Sequence, residues 1–113
     1  MNNEEKEYNP HEAIDYILSN RRKAAEAKGR LAGLEAYKHS LRAIMMKKSG
    51  EQSLGAQERE AHASQEYQDL CKAIDQATME AEEWRWVLEA AKMRFEAWRT
   101  MEASNRNLDK FTR

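Results

Sequence analysis

Apolar residues recur at Ala63, Tyr67, Leu70, Ile74, Ala77, Ala81, Trp84, Leu88, Ala91, Phe95 and Trp98, in steps that alternate between four and three. This is a heptad seam over about five heptads, the pattern of a helix packed lengthwise on another. The chain from Ala56 to Arg113 holds no Gly and no Pro. One continuous helix is therefore predicted over 56–106, with a basic tail over 107–113; the alternative is a helix broken near Gln76–Thr78.

An earlier helix is predicted over 9–48. Asn9 suits the N-cap, Pro10 the first helical position and Glu12 the capping-box position. Apolar residues follow at Ile14, Ile17, Ala24, Leu31, Leu34, Leu41 and Met45. Their spacing is helical but imperfect, because Arg21 and Lys28 fall on the same stripe. Lys47 and Lys48 suit the last turn, and Gly50 the left-handed cap. The stretch SGEQSLG, residues 49–55, reads as a turn, and residues 1–8 as a flexible acidic N-terminus. A connection this short favours antiparallel neighbours. The predicted fold class is all-α: a long antiparallel, coiled-coil-like helical hairpin that dimerises into a four-helix arrangement.

Antiparallel pairing about this turn sets residues opposite one another when their numbers sum to about 103. Gly29 then lies near Ile74, within a run of small residues that includes Ala25, Gly33, Ala77 and Ala81. Close approach of the two backbones is the expected compensation for two helical glycines, each of which costs about 1 kcal/mol against Ala. In the same register Phe95 and Trp98 overshoot the Asn9 cap, and Met101 lies further out. Three covers are open: the EEKEYNP segment folding back with Tyr8, a second copy of the chain, or another macromolecule. The second copy is favoured, because a self-complementary seam buries aromatics readily. The expected partner surface is Trp84, Leu88, Ala91, Phe95, Trp98 and Met101.

Charge changes this picture in one respect. Residues 17–48 carry nine Lys and Arg against two Glu, whereas residues 49–91 carry ten acids against three bases. A basic helix facing an acidic one accounts for much of the cationic run NRRKAAEAKGR. What is left for nucleic acid is Arg21, Arg22 and Lys23 on the first helix, with Arg94, Arg99, Arg106, Lys110 and Arg113 interleaved with aromatics near the C-terminus. The net charge is −1, which gives no global drive toward nucleic acid or membranes.

The 113 residues fit one domain, and their nine aromatic residues (three Trp, four Tyr and two Phe) exclude a disordered tail. A single cysteine, Cys71, excludes an internal disulfide framework and fits a reducing, cytoplasmic setting. MNNEEKEY lacks the pattern of a secretion signal, and no apolar run is long enough to span a bilayer. No membrane partner is expected.

Catalytic chemistry finds no support. His11, His39 and His62 show no ligand spacing, although the hairpin brings His39 and His62 to one level. Cys71 flanks the seam as a small apolar thiol. Glu82 and Glu83 read as solvated helix charges rather than an acid–base pair. No enzyme activity, metal or cofactor is expected.

The segment RWVLEAAKMRFEAWRTMEASNR, residues 85–106, resembles the C-terminal part of small helical proteins encoded by tailed bacteriophages and prophages. The resemblance rests on Trp86, Leu88 and Glu89, then Glu96, Trp98, Arg99 and Thr100, then Ser104 and Arg106. It covers about the last fifth of the chain. Some such proteins lie near single-strand annealing and recombination genes. The resemblance implies a phage accessory protein and carries over no functional residues. The function expected is that of a non-enzymatic interaction protein that self-associates and binds or inhibits another protein. The alternative is a nucleic-acid-binding accessory protein of DNA recombination or replication.

Overall fold

The computed structural model describes residues 7–112. They form three helices, α1 (Pro10–Lys48), α2 (Leu54–Ala63) and α3 (Gln65–Thr112), and no strand. The chain is an all-α helical hairpin. The described residues divide into two compact units, residues 7–22 with 85–112, and Lys23–Trp84. A pair of long helices makes contacts only with whatever lies alongside, so its packing is close to one-dimensional.

Asn9 caps α1 as predicted, with His11 N donating to Asn9 Oδ1 at 2.9 Å and Ala13 N to Asn9 O at 3.3 Å. At the other end Gly50 takes φ 72°, and Ser49 Oγ donates to Met46 O at 2.7 Å. Ser53 then caps α2, accepting from Ala56 N at 3.2 Å.

Within Lys23–Trp84, α1 runs antiparallel to α2 and the first part of α3. Arg42 Nη2 meets Glu58 Oε1 at 2.7 Å, and Arg30 Nη1 meets Glu80 Oε2 at 2.6 Å. The core of this unit is Ala27, Leu41, Ala61, Leu70 and Ala77. Tyr67, Leu70, Ile74, Ala77, Ala81 and Trp84 of the predicted seam are all turned inward.

Three expectations are corrected here. First, the inward positions of α1 include Ala13, Ile17, Asn20, Ala24, Ala27, Leu31, Leu34, Lys38, Leu41 and Met45, which follow a strict alternation of four and three. Ile14 is 42% exposed, and Arg21 and Lys28 lie outside the seam. The interruptions were a matter of phase: Ala13, Asn20 and Ala27 do the packing, and the Asn20 amide donates to Tyr16 O at 2.8 Å.

Second, Gly29 and Gly33 do not mediate close approach. A Cβ built on either meets nothing within 4 Å, and both residues are exposed. Ala27 and Ala77 are the small residues that face inward.

Third, the second helix is interrupted at Ser64 rather than being continuous from residue 56. Ser64 adopts φ −64° and ψ 146°, and its N–H donates to Ala61 O. Its hydroxyl oxygen accepts from Tyr67 N at 3.3 Å, so one serine ends α2 and caps α3. The reset in phase turns Ala63 outward and buries Ala61 instead. Near Gln76–Thr78 the helix is unbroken, and Thr78 Oγ1 bonds back to Ile74 O at 2.7 Å. At the far end residues 107–112, predicted as a tail, continue α3. No helix among the described residues is long and apolar enough to cross a membrane.

Candidate functional site

In the unit of residues 7–22 and 85–112, the inner side of α3 carries Leu88, Ala91, Phe95 and Trp98, all half-buried. Tyr8, just ahead of the Asn9 cap, folds alongside them. Tyr8 lies against Trp98 with ring centroids 6.3 Å apart, and Phe95 lies 6.1 Å from Trp98. The Arg94 guanidinium sits 5.3 Å from the centre of the Tyr8 ring. Trp98 therefore does have a cover within the chain, the fold-back of Tyr8, which sequence reasoning ranked below a second copy. Residues 1–6 of the predicted N-terminal segment lie outside the described residues. The Tyr8 hydroxyl is buried with no hydrogen-bond partner among the described residues. Beside it an open groove of about 500 Å³ runs between Glu12, Ala13 and Tyr16 on one side and Val87, Ala91 and Arg94 on the other.

The outer side of the same helix is different. Trp86, Ala90, Met93, Ala97, Met101, Ser104, Leu108 and Phe111 follow one another at steps of four or three, and every one is exposed. The large members are 60–88% exposed. At about 100° per residue these positions form one stripe centred away from Leu88, Ala91 and Phe95. One edge of it borders Tyr8, where Ala90 lines the groove beside Ala91 and Tyr16, and Ala97 and Met101 share a groove with Tyr8 and Trp98. Seven of the eight are apolar. Single exposed apolar side chains are ordinary, but a continuous stripe over about seven turns is the mark of an interaction surface. The Arg85 guanidinium lies 4.6 Å from the Trp86 ring and covers part of it.

The predicted surface thus divides. Leu88, Ala91, Phe95 and Trp98 face inward, Trp84 belongs to the seam of Lys23–Trp84, and Met101, 65% exposed, belongs to the outer stripe. The signal that sequence reasoning missed was a second run of three- and four-residue steps, out of phase with the first.

The candidate nucleic-acid contacts are also sorted by the fold. Arg99, Arg106 and Lys110 share one exposed edge of α3, joined by Lys92, which had not been singled out for this role. Arg94 leaves that edge and stacks on Tyr8. Arg21, Arg22 and Lys23 are exposed on α1, and Arg22 has a partner. Arg113 lies outside the described residues.

No family model, curated protein or solved structure matches this chain.

In Lys23–Trp84 the fold brings His39 and His62 to one groove with Glu35, Lys38, Arg42 and Tyr67. His62 packs on Tyr67 at 5.0 Å and the Lys38 ammonium lies 5.8 Å from the same ring. Among the described residues no three His, Cys, Asp or Glu side chains converge to hold a metal. Cys71 is a half-buried free thiol.

Proposed function

We propose that this chain is a non-enzymatic helical interaction protein that works through the outer stripe of α3, associating with itself and binding or inhibiting another protein. The observation that carries this reading is the run of exposed apolar residues from Trp86 to Phe111. A helix packed on one side only needs one apolar face, and this helix has two. The resemblance of residues 85–106 to small phage proteins suggests a phage accessory role in the cytoplasm of an infected cell, where a free thiol such as Cys71 stays reduced.

The test is the double variant Met93→Glu/Met101→Glu. Both positions are exposed, so helicity by circular dichroism should be unchanged while association, read as mass in solution and as recovery of co-purifying protein, falls at least tenfold. Unchanged association in a folded variant would remove the stripe from the mechanism.

A second reading is favoured by the basic edge formed by Lys92, Arg99, Arg106 and Lys110. Cations at seven-residue spacing along a helix stand about 10 Å apart, within reach of a phosphate backbone. Titration of single- and double-stranded DNA by fluorescence anisotropy decides this reading. Affinity should fall steeply with salt, and absence of binding at low salt would end it.

A further inference from the structure

The outer stripe of α3 has a property that narrows what meets it. From Trp86 to Leu108 the intervals are four, three, four, four, three, four, and they read the same in both directions about Ala97. Side-chain size follows the same symmetry. Large Trp86, Met93, Met101 and Leu108 alternate with small Ala90, Ala97 and Ser104. We propose that α3 pairs with α3 of a second copy of this chain, antiparallel, about a two-fold axis at Ala97. The inference rests on the reading of the stripe as an interaction surface and names its occupant.

An isologous interface requires that if one residue meets another, the second meets the first in turn. Reversal about Ala97 satisfies this along the whole stripe. Ala97 faces its own copy, Met93 faces Met101, Ala90 faces Ser104, and Trp86 faces Leu108. Small residues then meet small ones and large meet large, so layers alternate between close backbone approach and filled volume, as interdigitated helices require. Methionines at the two layers nearest the axis suit this, since an unbranched thioether adapts to an irregular gap.

Charge favours one direction. A parallel pair in register would also match any spacing, but it would bring like-charged ends together. Around the Trp86 end of the stripe Glu82, Glu83 and Glu89 outnumber Arg85, while around the Leu108 end Arg106 and Lys110 outnumber Asp109. The antiparallel pair sets the acidic end of each copy beside the basic end of the other, and opposes the two helix dipoles.

Tyr8 borders the stripe, since it shares one groove with Ala97, Trp98 and Met101. Its ring stays packed on Trp98, and a second copy seated on Ala97 and Met101 lies next to it.

Cysteine pairing in the full chain tests the arrangement, in a Cys71→Ser background. Sedimentation equilibrium of the unmodified chain at tens of micromolar should give twice the chain mass. Under mild oxidation Met93→Cys mixed with Met101→Cys should give a cross-linked dimer, and neither variant alone should. In the antiparallel pair two copies of position 93 stand about 12 Å apart along the axis, beyond the reach of a disulfide. If Met93→Cys instead cross-links with itself, the copies run parallel. That overturns the two-fold axis at Ala97 and leaves the stripe as an interface. A monomer at this concentration overturns the inference altogether, and the Met93→Glu/Met101→Glu comparison then decides by itself whether the stripe binds a different protein.

Discussion

Tyr8 packs across Trp98, with ring centroids 6.3 Å apart and planes tilted by 53°. A residue ahead of the first helix thus covers an aromatic near the end of the last. Aromatic pairs of this geometry contribute about 0.5–1.5 kcal/mol beyond the area they bury. Tyr8→Ala should therefore cost about 2 kcal/mol, seen as a lower urea midpoint with a red-shifted tryptophan emission. Tyr8→Phe separates ring from hydroxyl. The hydroxyl is buried without a partner among the described residues, so its removal should leave stability unchanged or slightly raised. A loss in Tyr8→Phe as large as in Tyr8→Ala would show that the hydroxyl, and not the ring, holds the segment in place.

Gly29 and Gly33 sit in the interior of α1 with open space where a Cβ would stand. Glycine in that position keeps the unfolded chain flexible without serving any contact seen in the fold. Gly29→Ala and Gly33→Ala should each raise stability by about 1 kcal/mol, read as a higher melting temperature. A fall in melting temperature for either variant would reveal a neighbour at that face, a second copy or a partner, that needs the glycine.

What the sequence disclosed, and what it withheld, follows from which features are local. The seam from Tyr67 to Trp98 was legible because heptad spacing depends only on residue order. The Asn9 cap was legible for the same reason. The phase of α1 was not, since Ala13, Asn20 and Ala27 carry too little hydrophobicity to outweigh Ile14 until a partner helix is in place. The fold-back of Tyr8 was ranked low because it has no periodic signature. The outer stripe was in plain view as Met93, Ala97 and Met101, but a second apolar period beside a strong first one looks like a broader version of it.

Ser64 ends one helix and starts the next with a single residue between them. Its hydroxyl accepts from Tyr67 N and also donates to Ala61 O at 2.6 Å. Ser64→Ala removes both bonds and should cost about 1 kcal/mol, while Ser64→Asp, which still caps α3, should recover part of it. Hydrogen exchange at Tyr67 gives a local measure, with protection expected to drop in Ser64→Ala. Greater protection there, with no loss of stability, would mean that α2 and α3 run on as one helix in solution.

Arg42 and Glu58 tie the basic end of α1 to the acidic α2, Nη2 to Oε1 at 2.7 Å, with each side chain 38% exposed. At that exposure water screens the pair, so a double-mutant cycle should give a coupling below about 1 kcal/mol. The coupling should shrink further as salt rises from low to molar concentration. The Nε of Arg42 is buried without a partner among the described residues, so Arg42→Ala also removes an unsatisfied donor, and its single-variant cost will misstate the pair. The charge swap Arg42→Glu/Glu58→Arg gives a cleaner measure. It keeps a pair across the same two helices and should recover most of the loss seen in Arg42→Glu alone. Failure to recover would mean that the basic–acidic contrast between the helices acts through the summed field of many charges, and that this close pair is incidental to the register.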